Sequence, residues 1–154
     1  MDKHIPDWGE YFIELAKQVS TRASCFRASV GCVIVRDKRI LSTGYNGAPS
    51  GRKTCIERGG CYRDLHNIPS GTELDRCYAS GAHAETNAIM NAARYGISIE
   101  GAVMYLYGHD SCCSQCQSAI LNTAISKVVL VKRDKEKVIF IPEDDFYLHP
   151  LLDS

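Results

Sequence analysis

A chain of 154 residues carrying 18 basic and 18 acidic side chains has a formal net charge of zero, which argues against a protein that holds polynucleotide mainly through phosphates, because such proteins carry a basic surplus. With 45% hydrophobic and 23% charged residues it has the composition of a soluble globular protein, and its length suits one domain over residues 1–154. No apolar run reaches the roughly 20 residues of a membrane span, the stretch Met1-Asp2-Lys3-His4-Ile5-Pro6 has no signal-peptide apolar core, and eight cysteines without such a signal favour reduced thiols and metal in the cytoplasm over disulfides.

Trp8, Phe12, Leu15, Ala16 and Val19 recur on one helical face. Asp7 to about Thr21 is therefore expected to be an amphipathic helix capped by Asp7 after Pro6, with the aromatic stripe as core. Val30–Val35 and Ile40–Thr43 flank the polar turn Arg36-Asp37-Lys38-Arg39 and read as an antiparallel hairpin. Cys32, inside the first run, reads as a small buried hydrophobe. Turn chemistry takes over in Gly44-Tyr45-Asn46-Gly47-Ala48-Pro49-Ser50-Gly51. Such a loop can bring backbone N–H groups and an Asn amide close to a ligand, although taken alone it reads as a tight turn. Lys53–Ala82 is long, polar and aperiodic, which in a compact domain calls for an explanation. Cys55, Cys61 and Cys77, with Cys25 upstream, supply one by closing a four-thiolate structural zinc site, with His66 as an alternative ligand. Their spacings match no standard zinc ribbon.

His83 to about Tyr95 is expected to be helical, packing through Ala84, Ala88, Ile89, Ala92 and Ala93 and stopped by Gly96. Ala102–Tyr107 reads as a strand, Ser114–Asn122 as a second helix, Lys127–Lys132 as a buried strand and Val138–Ile141 as a further strand. The tail Pro142–Ser154 carries Phe146, Tyr147, Leu148, Leu151 and Leu152, expected to dock on the domain or on a neighbouring subunit. Strands alternating with helices after an initial hairpin predict an α/β layered fold with a mixed sheet.

Both of those helices open on residues with chemistry. His83-Ala84-Glu85 stands at the first and Cys113-Ser114-Gln115-Cys116 at the second. Separately each has an ordinary reading: H-A-E is common helix material, and a lone C-x-x-C is a redox pair or half of a structural zinc site. Together they match H-x-E followed by C-x-x-C, the pattern of zinc-dependent nucleobase deaminases. A neutral imidazole and two thiolates give Zn²⁺ three protein ligands, leave a fourth position for water, and sum with the metal to zero charge. Cys113 and Cys116, at i and i+3, share one face of a helix start. His83 and Glu85, at i and i+2, diverge on the side of a helix and converge only if the metal lies off its N-terminus. That arrangement leaves Glu85 beside the metal and free to move protons.

The chain resembles the deoxycytidylate (dCMP) deaminase family over about residues 8–132. The resemblance rests on Ser29-Val30-Gly31-Cys32-Val33-Ile34-Val35-Arg36-Asp37-Lys38-Arg39, the loop Gly44-Tyr45-Asn46-Gly47-Ala48-Pro49, the run His83-Ala84-Glu85-Thr86-Asn87-Ala88-Ile89, and Cys113-Ser114-Gln115-Cys116. The loop separates this family from free-cytidine and tRNA-adenosine deaminases more sharply than the metal motif does. The resemblance implies a cytidine-deaminase-like α/β/α sandwich around a central mixed sheet, and hydrolytic deamination of dCMP to dUMP and ammonia, feeding thymidylate synthesis. It implies catalytic zinc on His83, Cys113 and Cys116, proton shuttling by Glu85, contact of Asn46 with the substrate sugar or base, and Arg27 near the substrate phosphate. It also implies a second, structural zinc on Cys25, Cys55, Cys61 and Cys77. Arg94 matches a position tied to subunit contacts and nucleotide regulation, with Gly44, Tyr45 and Gly47 in the regulatory loop, dCTP activating and dTTP inhibiting, usually in a hexamer. Arg27 also reads as a solvated surface arginine, and Arg94 as a charge complementing the end of a helix dipole.

Two departures from the family pattern stand out. Cys112 takes the place of a proline that would fix the turn aiming the two thiolates, and it offers an alternative thiolate. Lys132-Arg133-Asp134-Lys135 lacks a tyrosine that relatives often place near the substrate, which leaves the far wall of the pocket unassigned. Three rival readings remain. One is a related deaminase acting on cytidine, guanine or a tRNA adenosine. Another is a zinc-stabilised nucleotide-binding regulator, against which the complete set His83, Glu85, Cys113 and Cys116 weighs, because a structural site closes its fourth position with a protein ligand. A zinc-bearing nucleic-acid module is disfavoured by the neutral charge and the absence of a basic–aromatic tract.

Overall fold

The computed structural model describes residues 1–146; the expected docking of Tyr147, Leu148, Leu151 and Leu152 lies outside them. In chain order the elements are α1 (Trp8–Ser20), β1 (Gly31–Arg36), β2 (Arg39–Tyr45), α2 (Tyr62–Leu65), α3 (Ala84–Arg94), β3 (Val103–Tyr107), α4 (Ser114–Asn122), β4 (Lys127–Val131), β5 (Lys137–Phe140) and α5 (Pro142–Asp145). The strands form a mixed sheet of order β2-β1-β3-β4-β5. β1 is antiparallel to both β2 and β3, β3 is parallel to β4 through the α4 crossover, and β5 returns antiparallel to β4.

Helix α1 starts where Asp7 and Glu10 exchange hydrogen bonds. Asp7 Oδ1 accepts from the Glu10 N–H at 2.9 Å, and the Glu10 carboxylate accepts from the Asp7 N–H at 3.1 Å, a reciprocal capping box. Phe12 and Ala16 then pack on Val33 and Val35, with Leu15 and Val19 at the margin. Trp8 belongs to the same stripe but stands in the first turn and is half exposed. Gly31 permits the close approach of α1, since a Cβ there would overlap the Ala16 carbonyl oxygen.

The hairpin turns on Asp37 and Lys38 at φ 53° and 61°, the pair of positive values that a tight two-residue turn of type I′ requires. Strand β2 runs two residues past the expected end at Thr43, through Gly44 and Tyr45. Gly44 is not a turn residue here: a Cβ on it would overlap the backbone of Ala84 and Ala88, so the strand passes directly beneath α3. Ser42 Oγ donates to Ala88 O at 2.6 Å and Asn91 Nδ2 donates to Thr43 O at 2.9 Å, clipping helix to strand.

Alternation along the strands divides the core between the two faces. Val33 and Val35 meet α1. Cys32, Ile34, Met104, Leu106, Val128 and Leu130 meet Ala84, Ala88, Ala92 and Ile120 of α3 and α4. Covering both faces explains why β1 and β4 read as continuous apolar runs. The result is an α/β/α sandwich. Cys32 is fully buried as a core residue, and the tail reaches the same core through Phe146, whose ring lies 5.8 Å from that of Phe140. Among the described residues no helix is long and apolar enough to cross a membrane.

Candidate active site

Helices α3 and α4 bring their N-termini together. His83 caps α3 and Cys113 caps α4, each with an extended backbone (φ −78°, ψ 163° and φ −69°, ψ 162°). A cap residue stands outside the helical cylinder, so its side chain reaches beyond the helix end. Cys116 follows one turn into α4 and comes back to the same point. His83 Nδ1 lies 3.3 Å from Cys113 Sγ and 3.4 Å from Cys116 Sγ. Zn–N and Zn–S bonds of about 2.05 and 2.3 Å in a tetrahedral centre hold N and S about 3.5 Å apart, so the three residues fit zinc. Among the described residues this is the one group of three or more His, Cys, Asp or Glu whose ligand atoms all lie within 4.8 Å of one another.

The electrostatics agree with a thiolate centre. Hydrogen bonding from Cys116, supported by His83, pulls the Cys113 thiol down to about 4. Cys116, paired with that anion and buried, is pushed up and keeps the proton, which leaves on metal binding. Bonding to Cys113 raises the His83 pKa. Thr86 fixes the cap: its Oγ1 accepts from His83 N at 3.1 Å and donates to Gly81 O at 2.8 Å.

Glu85 lies two residues beyond His83 and is 4% exposed. Burial pushes its carboxyl pKa up, partly offset by a backbone N–H and by His109 and His83. Cys112 takes no part in the ligand group. Its side chain is buried in the core between sheet and helices, and burial, with Glu85 nearby, holds it as a thiol. The turn that proline would fix is pinned instead by Gln117 Nε2, which donates to Cys112 O at 2.9 Å.

A cavity opens onto His83, Glu85 and Cys113, and Arg27, Asn46, Arg63 and His109 also line it. Asn46 braces the strand leading into β1: Oδ1 accepts from Val30 N at 2.8 Å and Nδ2 donates to Ala28 O at 3.0 Å, leaving one amide hydrogen over. Arg27 is held by Asp64, whose Oδ1 accepts from Nε at 2.9 Å and Nη2 at 2.6 Å, and by Ile68 O at 2.7 Å. Its Nη1 is buried with no partner among the described residues.

Tyr45 and Gly47, unlike Asn46, do not line the cavity and tie the end of β2 to α3 and the segment before it. Tyr45 O accepts from Asn87 Nδ2 at 2.8 Å, and Gly47 N donates to Ala82 O at 3.3 Å. Arg94 is exposed at the opposite end of α3, its guanidinium 5.8 Å from the Tyr95 ring centroid; the fold does not bring it to this site. Cys25, Cys61 and Cys77 lie in the neighbourhood of Cys55 without forming a ligand cluster. Cys55 and Cys61 are buried and Cys25 and Cys77 half-buried. Cys25 and Cys77 border the cavity, with Sγ atoms accepting from Arg27 N at 3.4 Å and Ala79 N at 3.5 Å. Burial raises the Cys55 pKa, and the neighbouring Cys25, Cys77 and Cys61 add to it. No three of these sulfurs lie within 4.8 Å of one another. His66 is exposed and stacks on Tyr62 with ring centroids 4.2 Å apart.

Among the wall residues that the sequence did not single out are Arg63, Leu74 and His109. His109 had a signal, standing in the short link between β3 and the metal cysteines. Arg63 and Leu74 had none, because the segment carrying them lacks periodicity.

Residues 6–132 match the family model for the cytidine and deoxycytidylate deaminase zinc-binding region. The chain is 40% identical over 125 residues to a deoxycytidylate deaminase of Schizosaccharomyces pombe, covering 80% of this chain and 37% of that protein. A deoxycytidylate deaminase of Mycobacterium phage D29 is 37% identical over 133 residues, covering 82% of this chain and 96% of that one. The chain thus spans little more than a third of the yeast relatives it matches. The dCMP deaminase of cyanophage S-TIM5, solved in complex with dCMP and dUMP, superposes with a TM-score of 0.64 at 26% identity over 84% of this chain and 85% of that one.

Proposed function

The chain belongs to the cytidine and deoxycytidylate deaminase family, and on that premise we propose that it hydrolyses dCMP to dUMP and ammonia, supplying dUMP for thymidylate synthesis. The observation that carries the reading is a buried carboxyl, Glu85, in a cavity also lined by His83 and Cys113, two of three converging zinc-type ligands. His83, Cys113 and Cys116 would hold the metal. Zinc, when bound, supplies a nucleophile at neutral pH by acidifying water.

The remaining chemistry belongs to the protein. Glu85 takes a proton from the attacking water and delivers it to the cytosine ring nitrogen. It then takes the second proton from the hydroxyl now on C4 and passes it to the amine as the C4–N bond breaks, leaving the uracil carbonyl and ammonia. A carboxyl whose pKa is raised by burial suits both directions of that transfer. In this reading Asn46, with one amide hydrogen left over, meets the sugar or base, and Arg27, whose Nη1 has no partner among the described residues, meets the phosphate; both residues line the cavity.

The tetrad Cys25, Cys55, Cys61 and Cys77 is assigned a second, structural zinc that stiffens the cavity wall formed by residues 53–82. Supporting this are two buried thiols, mutual proximity, and backbone N–H donors on Cys25 and Cys77. Regulation by dCTP and dTTP belongs to the same reading, in a cytoplasmic hexamer whose contacts include the exposed end of α3 at Met90, Arg94 and Tyr95.

The test is to incubate zinc-replete protein with dCMP and, in parallel, with deoxycytidine, following the loss of cytosine absorbance. Conversion of dCMP with little conversion of deoxycytidine is the expected result. Equal conversion would make it a nucleoside deaminase, and no conversion even with dCTP added would make it a nucleotide-binding regulator.

A further inference from the structure

Arg63 brings a positive charge into the cavity wall and forms no ion pair among the described residues; Asp64 is near enough to feel that charge but is hydrogen-bonded to Arg27. It lies in α2 and is 9% exposed. Nη1 donates to Thr72 O at 3.0 Å, while the buried Nε–H has no partner among the described residues. None of the ion pairs among the described residues includes it, and the adjacent Asp64 is engaged by Arg27. A guanidinium stays ionised at any physiological pH, and burying one without a counter-charge is strongly unfavourable. An unpartnered donor and a charge that Asp64, shared with Arg27, balances only in part call for an anion that enters the cavity from outside.

The same cavity holds Glu85 and His83, so the anion is part of whatever presents its base to those residues. Arg27 is the less suitable receiver, because Asp64 already neutralises it and only its Nη1 group is left over. Resting on the reading that the substrate is a nucleotide, we propose that Arg63 binds and charge-balances the substrate's 5′-phosphate, with Arg27 Nη1 as a second donor. Preference for nucleotide over nucleoside then resides chiefly in Arg63. Asp64 positions Arg27 and keeps the pair of arginines from presenting two bare charges side by side.

The test uses Arg63→Gln and Arg63→Lys in the full chain, with zinc content measured on each. The kcat/KM ratio for dCMP over deoxycytidine should fall by about 10-fold to 100-fold in Arg63→Gln, the loss expected for a charge-assisted hydrogen bond to phosphate. Most of it should appear in KM. Arg63→Lys, which keeps the charge without the planar fork, should recover part of it. A ratio equal to wild type, or zinc lost from the variant, would overturn the assignment. Binding is read separately by titrating arginine-¹⁵N-labelled wild type, where the Arg63 Nε–H resonance should shift with dUMP and not with deoxyuridine. No shift with dUMP would also sink the proposal. Should wild type fail to turn over dCMP, the proposed reaction falls, and the dUMP titration still decides on Arg63.

Discussion

His83 and Cys113 hold the same position on two different helices: each is the residue before the first turn, and Nδ1 and Sγ lie 3.3 Å apart. Ligands sent from helix ends, not helix sides, allow residues at i and i+2 on one helix to serve one centre. They also place the thiolates where helix N-termini favour negative charge. His83→Ala leaves two thiols facing each other with no third ligand. The variant is expected to purify without zinc at this site and to show only background deamination, measured by metal analysis alongside the rate. Stripping zinc from wild type with a chelator should give the same rate, and adding zinc back should restore wild type but not the variant.

Glu85→Gln keeps the size and burial of the side chain and removes its capacity to carry a proton. Because Glu85 is not one of the clustered ligands, zinc should stay. Loss of general acid–base catalysis should lower kcat by about 10²–10⁴-fold, with KM for dCMP changed far less. A variant within tenfold of wild type would take Glu85 out of the reaction.

Much of this site was legible in the sequence because its parts sit on regular elements. The apolar face from Trp8 to Val19 located α1, and the alanines after His83 marked a helix that packs closely on a sheet. The offset of His83 and Glu85 required a ligand centre off the helix end, and His83 stands at that end as the N-cap of α3, clustered with Cys113 and Cys116. Legibility ended where long-range contacts decide. Gly44 looks like turn chemistry, yet its role is to let α3 lie against β2, and nothing local distinguishes the two. Arg63 reaches the cavity from a segment with neither hydrophobic period nor regular secondary structure beyond one turn of helix, so no pattern points to it.

Gly44→Ala tests that close approach. The added Cβ would overlap the backbone of Ala84 and Ala88, so α3 must move away from the sheet. Overpacking of this kind costs about 1–3 kcal/mol, to be read from the urea midpoint. Because α3 carries His83 and Glu85, kcat should fall as well. Retention of both stability and rate would mean that β2 and α3 separate without consequence.

The Arg27–Asp64 pair gives a pH signature. Hydrogen bonding from Arg27 holds the Asp64 carboxyl below its ordinary value, so the folded protein binds the proton less readily than the unfolded chain. The pair's contribution is therefore complete above the unfolded pKa of about 3.9 and is lost as pH falls through the lower folded value. Asp64 is exposed, so the contribution is modest. The melting temperature of wild type should exceed that of Asp64→Asn by a constant margin near neutrality, and the margin should close in acid. A margin that widened in acid would contradict the pairing.

Cys55→Ser probes the second metal without touching the first. Cys55 is 1% exposed, and its neighbours Cys25 and Cys77 border the cavity, so a zinc held by the tetrad would link buried chain to the substrate-facing wall. Wild type is expected to contain two zinc ions per chain and the variant one. A hydroxyl in place of a thiolate abolishes a tetrahedral Cys₄ site while leaving His83, Cys113 and Cys116 intact. The remaining zinc should still support turnover, with a raised KM for dCMP as the wall loosens and a lower melting temperature. One zinc in both proteins would leave the tetrad as four packed thiols, and residues 53–82 would then owe their order to side-chain contacts alone.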